Sequence, residues 1–215
     1  MHDTVVFLGP SMPVEEARRL LDAEFASPIC RGDLALLPSN VRIIGIIDGE
    51  FFQKLAVSPK EIIEALGRGV RVFGSSSMGA LRAAETHTFG MVGIGRIFEQ
   101  FRDGILDADD EVAVAYESGT YRALSDSMVN LREALALACR AGVITERQQQ
   151  ELCSAMKARY FPQRSWRALE QICPPLKHFA ETQPLPDLKR DDACALLLAI
   201  GCARKNDAAQ AKRSI

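Results

Sequence analysis

None of the six cysteines, at positions 30, 139, 153, 173, 194 and 202, forms a Cys-x-x-Cys pair. A zinc site therefore has no sequence support, and without a secretion signal disulfides are not expected. Most of these cysteines fall in amphipathic helical stretches and read as small buried hydrophobes, while Cys30 lies in a loop and is the one expected to be exposed. An excess of charge of either sign is also missing. A net charge of −2 gives no electrostatic reason to expect nucleic acid or an anionic membrane as a partner. The longest apolar run is far short of a membrane span, and Met1-His2-Asp3-Thr4 leading into a strand is no signal peptide, so a cytoplasmic protein is expected. No G-x-G-x-x-G follows a strand, and no Lys-Ser/Thr follows the glycine-bounded stretch 74–79, so dinucleotide and phosphate-loop fingerprints are absent and no cofactor is expected. Histidine is scarce. His2 is terminal, His178 follows a double proline, and His87 lies almost three helical turns beyond Ser77, so a Ser-His-Asp arrangement has no support.

What remains is an ordinary globular composition, 47% apolar and 25% charged over 215 residues, enough to bury a full core. Thr4–Leu8 reads as a strand, and a helix follows Gly9-Pro10-Ser11 with Pro13 in its first turn. The stretch 25–33 reads as loop, and 34–37 and 41–47 as strands, the second nearly continuous in apolar residues as for a strand covered on both faces. Ser58-Pro59-Lys60-Glu61 carries an unusually complete helix start, with an N-cap, proline at the first position and glutamate closing a capping box. Val70–Phe73 is a further strand, Gly74 ends it, and a helix runs from Met78. Residues 89–95 form a glycine-punctuated connection, 97–101 a helix, and 112–116 a strand preceded by the acidic turn Asp107 to Glu111. That turn reads as exposed rather than as a metal site. From Ser125 onward the pattern is helical only, with a second capping box at Thr145 to Gln148 and a last helix over 187–202. The expected class is α/β: a small parallel-sheet core with flanking helices over residues 1–120, and a helical appendage over 121–215 packed on it, frayed after about 204.

In a parallel sheet the loops after the strands share one edge, where ligands bind. Three loops meet that condition: Gly9-Pro10-Ser11, Asp48 to Lys60, and Gly74 to Met78. Ser77 directly precedes Met78-Gly79 at a strand–helix turn, which echoes a nucleophile elbow, with the Met78 and Gly79 amides as oxyanion donors. The competing reading is that Ser76 or Ser77 caps the helix. Lys60, at the positive end of a helix dipole, is a candidate general base. Lowering a lysine from ~10.4 to ~7.5 takes about 4 kcal/mol, more than the dipole supplies, so this role requires a desolvated pocket; otherwise Lys60 is a solvated lysine.

Several short motifs occur in order and close spacing: Phe7-Leu-Gly-Pro-Ser11, Ile47-Asp-Gly49, Lys60-Glu-Ile62, Gly74 to Glu85, Phe89-Gly-Met91 and Asp109-Asp-Glu-Val-Ala113. Together they resemble the TfuA-like family, partners of YcaO enzymes in peptide backbone thioamidation, over residues 4 to 120. The resemblance implies a hydrolase-like Ser–Lys site that releases sulfide from a thiocarboxylated ubiquitin-like carrier of the ThiS type for the YcaO enzyme, which modifies the precursor peptide. Carried over, Ser77 is the nucleophile and Lys60 its base, with Met78, Gly79 and Gly9 supplying oxyanion amides. Asp48, Ser11, Ser76, Arg82 and Glu85 stand behind them. The alternative is a non-catalytic adaptor that docks the YcaO enzyme and its peptide.

Overall fold

A computed structural model describes residues 2–51 and 55–213. Five strands form one sheet: β1 (Thr4–Phe7), β2 (Glu24–Ala26), β3 (Ile43–Ile46), β4 (Arg71–Gly74) and β5 (Val92–Gly93). Every pair is parallel and the order is β2-β1-β3-β4-β5. This is the doubly wound order of flavodoxin-like sheets, whose strand sequence reverses direction between β1 and β3. The α/β class expected from the sequence is therefore the observed one.

All four residues of β1 and of β3 are buried, which accounts for their unbroken apolar character. Pleating sends alternate residues to opposite faces. Val6, Ile43, Ile47 and Phe73 join a core with α1 (Val14–Leu20) and the last helix, α10 (Leu188–Arg213). On the other face α3 (Pro59–Gly67) and α4 (Met78–Thr86) pack against β4. Gly45 explains the close seat of α10. A Cβ there would lie 2.9 Å from Ile200 Cδ1 and 3.2 Å from Leu196 Cδ2.

Two compact units divide the chain. One is Met1–Asp107 with Arg190–Ile215, the other Ala108–Lys189. The boundary thus falls ahead of residue 120, and the chain's last helix from Arg190 on belongs with the sheet instead of with an appendage, sharing a core with β1, β3 and α1. That helix continues to Arg213, past the point near 204 where fraying was expected. None of the helices described is long and apolar enough to cross a membrane.

Local expectations hold where a side chain enforces them. At the Ser58 capping box the Glu61 amide donates to Ser58 Oγ (3.4 Å), and the Ser58 amide to Glu61 Oε2 (2.9 Å). Thr145 and Gln148 repeat the pattern at α7 (Glu146–Lys157). Elsewhere the reading is corrected. Residues 33–36 form a single helical turn, α2 (Asp33–Leu36), instead of a strand, while Glu24–Ala26, read as loop at its end, is β2. Short apolar runs of this kind carry no period that separates the two. The stretch 112–116 is not a strand; it meets the chain beyond it through the isolated bridge of Tyr116 with Ala123 and the bond from the Leu124 amide to Ala115 O (2.7 Å). Residues 92–93 of the glycine-rich connection pair with β4 as an edge strand.

Within the second unit, α6 (Met128–Arg140), α7, α8 (Trp166–Ile172) and α9 (Pro175–Thr182) surround one apolar core. In the acidic turn Asp107 and Asp109 are exposed as expected, and the turn's last residue is not. Glu111 is buried, gripped by Arg132 through two 3.0 Å bonds and by Lys157 at 2.9 Å. Burial pushes the Glu111 carboxyl up, but Arg132 and Lys157 pull it further down, below the usual range.

Asp192 gives a contact that no local pattern announces. It reaches from α10 to the start of α5 (Arg96–Arg102), accepting the amides of Arg96 (3.0 Å) and Ile97 (2.8 Å). Burial raises its carboxyl to about 6, against the pull of those two amides. A carboxyl raised in the folded state contributes stability that is fully present below the unfolded value and is lost as pH rises through 6. The shift from 3.8 corresponds to about 3 kcal/mol. In urea denaturation Asp192→Asn is expected to flatten the wild type's fall in stability between pH 4 and 6. Parallel curves for the two proteins would contradict this assignment.

Candidate functional site

The strand order reverses between β1 and β3, the place where sheets of this order bind ligands, and hydrogen bonds join the loops after β1, β3 and β4 at the carboxyl ends of the strands. Asp48, directly beyond β3, is buried and holds the β1 loop. Its Oδ2 accepts the Gly9 amide (2.9 Å) and the Ser11 amide (3.0 Å), and its Oδ1 accepts the Ser11 hydroxyl (2.7 Å). Ser76 continues the chain of bonds, donating to Ser11 Oγ at 2.9 Å. One buried carboxylate thus ties the first strand's loop to the β4–α4 turn.

That turn is strained. Ser76 has φ of 64°, in the left-handed region that side chains other than glycine rarely occupy. In a nucleophile elbow the strained residue is the nucleophile itself, whereas here the strain falls on Ser76, one residue ahead of Ser77. The chain can turn so tightly because Gly74 and Gly79 face each other. A Cβ on Gly79 would overlap the Ile46 carbonyl oxygen, and one on Gly74 would overlap the Gly79 carbonyl.

Ser77 is the N-cap of α4 and 3% exposed, yet its side chain makes no capping bond to the helix. The hydroxyl of Ser76 is directed to Ser11, so the cap reading fails for both serines. Among the expected oxyanion donors, the Gly79 amide donates to Ile47 O (3.3 Å) and the Gly9 amide to Asp48. Both are engaged inside the protein. Met78, at the first helical position, has no intrahelical acceptor for its amide by construction. It immediately follows Ser77, the relation between donor and nucleophile found in elbow hydrolases.

Lys60 is placed differently. Its side chain is 85% exposed, with Nζ 3.9 Å from Glu64 Oε1 one turn along α3. The desolvated pocket that a lysine base requires is not around it. Arg82 and Glu85 also serve another purpose. Arg82 Nε donates to Val57 O (2.7 Å) while its Nη1 donates to both Glu85 oxygens (3.0 and 2.8 Å), bracing α4 against the segment that enters α3. The structure therefore brings together Gly9, Ser11, Asp48 and Ser76, and places Ser77, Met78 and Gly79 on the same turn.

A strap that no local pattern announces crosses the β1 loop. Beyond β2 the chain crosses to the extension of β3, where the Ile29 amide donates to Asp48 O and the Glu50 amide to Ile29 O, both at 3.0 Å. Pro28 lies directly over Gly9, where a Cβ would come within 2.5 Å of its Cγ. Cys30 rides on the strap half-buried, its amide bonded to Asp33 Oδ2 (2.7 Å); the exposed cysteine is Cys202. Among the described residues no group of three or more His, Cys, Asp or Glu side chains is arranged to hold a metal ion.

The family model described as TfuA-like protein matches residues 48–165, more than half the chain and inclusive of Asp48, Lys60 and the whole β4–α4 turn. No curated protein matches the chain significantly.

Proposed function

This chain belongs to the TfuA-like family, and from that premise we propose that it hydrolyses the thiocarboxylated terminus of a ubiquitin-like, ThiS-type sulfur carrier, releasing sulfide to a YcaO-type enzyme that thioamidates a peptide. The observation that carries this reading is the place of Ser77 on the strand–helix turn, directly ahead of the Met78 amide at the start of α4.

In this mechanism Ser77 Oγ attacks the thiocarboxylate carbon while the Met78 N–H faces the developing oxyanion. The C–S bond breaks, and sulfur departs as hydrosulfide carrying the proton that the serine gives up. A water molecule then attacks the ester, returning Ser77 and leaving the carrier's carboxylate. The departing sulfur accounts for the serine proton, so the first half-reaction does not consume an outside base. Ser76, Ser11 and Asp48 act on geometry: their chain of bonds holds the strained turn against the β1 loop. Lys60, exposed at the start of α3, serves in this reading as a cation that meets the incoming anionic tail.

The test is sulfide release from a thiocarboxylated carrier by purified protein. Ser77→Ala is expected to lower the rate at least about a hundredfold with the fold intact by circular dichroism. Lys60→Ala is expected to raise KM and leave kcat within a few-fold. Full activity in Ser77→Ala would overturn the nucleophile and favour the adaptor reading; a loss of kcat in Lys60→Ala equal to that of Ser77→Ala would restore lysine as the base.

A further inference from the structure

Between Asp192 and Arg204, α10 contains eleven consecutive residues without a polar or charged side chain, Ala193 to Ala203. A helix that is apolar all round belongs in a protein interior. Only one side of this one is interior. Ala193, Leu196, Leu197 and Ile200 pack on the sheet, whereas Leu198 is 55% exposed and Cys202 is exposed one turn further on. Leu20, at the end of α1, stands exposed beside them, and together with Leu21, Gly201 and the charged residues Asp22, Arg204 and Lys205 they line a shallow groove of about 450 Å³.

The charges at this groove decide what covers it. Both signs occur on the same small surface: Asp22, 88% exposed just beyond α1 with His2 Nδ1 3.9 Å from its carboxylate, and Lys205 exposed on α10. Arg204 donates to the Asp22 carbonyl at 2.5 Å, which fixes its guanidinium beside that acid and keeps its positive charge on the same surface as Lys205. An apolar strip bearing an acid and a base is complementary to itself after a two-fold rotation, which sets each acid against the other copy's base. A partner of uniform charge would face a like charge at one of the two positions.

We propose that the α1–α10 groove is the interface of a symmetric homodimer, with Leu198 and Leu20 at its centre and Asp22 of each copy paired with Lys205 of the other. The proposal is independent of the sulfide-release reading, because this helix face lies on the opposite layer from α3 and α4.

Sedimentation equilibrium or light scattering over micromolar concentrations tests it on the full chain. The wild type is expected to dimerise. Leu198→Glu and Asp22→Lys are each expected to weaken the dimer at least about tenfold, with unchanged melting of the monomer. The double variant Asp22→Lys/Lys205→Glu is expected to recover it, since the exchange restores opposite charges across the two-fold. A wild type that is monomeric throughout, or a dimer that survives Leu198→Glu, would overturn the proposal. Failure of the double exchange to rescue would overturn the charge pairing.

Discussion

Gly79→Ala is expected to destabilise the sheet-bearing unit by about 4 kcal/mol or more, an exceptionally large effect for the addition of one methyl group. The added Cβ would overlap the Ile46 carbonyl oxygen and lie 2.6 Å from its carbon. Neither atom belongs to a flexible side chain. The oxygen sits at the end of β3 and accepts the Ser75 amide at 3.1 Å, so relief requires α4 to lift from the sheet and that bond to stretch. Overpacking a well-filled core ordinarily costs about 1–3 kcal/mol because side chains can yield, and here backbone meets backbone. Gly67→Ala is the control. It adds the same methyl at the end of α3 with nothing within 4 Å and is expected to be neutral or slightly stabilising. Chemical denaturation of the two variants checks the pair. A Gly79→Ala protein as stable as Gly67→Ala would show that the glycine is not there for close approach.

Arg164→Ala is expected to cost the helical unit about 3–5 kcal/mol, the range for stripping one partner from a buried ion pair. Arg164 is 1% exposed, and its guanidinium reaches in every direction. Nε donates to Met156 O and Arg159 O (both 3.1 Å), Nη1 to Asp110 O (2.7 Å), and Nη2 to Asp110 Oδ2 (2.5 Å) and Lys157 O (3.2 Å). The Met156, Lys157 and Arg159 carbonyls lie at the end of α7, where the helix dipole is negative and a cation is favoured. Arg164→Lys is expected to recover little, since a single ammonium cannot span acceptors arranged around a planar fork. Acid should expose the same network. Burial raises the Asp110 carboxyl, but Lys157 and Arg164 bring it below its usual range. Its stabilisation is present above the unfolded value and is lost as pH falls through the lower folded one, so Arg164→Ala should be less acid-sensitive than wild type. Thermal melts at pH 7 and pH 3 check both statements.

The parts of this fold that were legible before the structure are those governed by a local rule. The capping boxes at Ser58 and Thr145 need only residues three apart, and the apolar β1 and β3 need only their own burial. What escaped depends on distant partners. The strand Glu24–Ala26 is short and half exposed, and it exists because β1 presents an edge to it. Asp192 became a cap for α5 across nearly a hundred residues of chain. The site divides the same way. The serine turn was visible as strand, small residues and helix, whereas Asp48 as the atom that ties Gly9, Ser11 and, through Ser11, Ser76 requires the crossing of β1 and β3. Lys60 shows the limit of a positional argument: its place near a helix start was read correctly, and its exposure was not available from the sequence.

The seating of α10 on β3 has a consequence for how the protein is made. The sheet-bearing unit closes only with residues from Arg190 on, which a ribosome delivers after all of Ala108–Lys189. During synthesis the face of β1 and β3 that holds Val6, Ile43 and Ile47 has only α1 upon it, while the helical unit, contiguous in sequence, has its whole core in hand. The helical unit is thus set to fold first and the sheet to finish last, with its open apolar face the natural point of call for a holding chaperone in the interval.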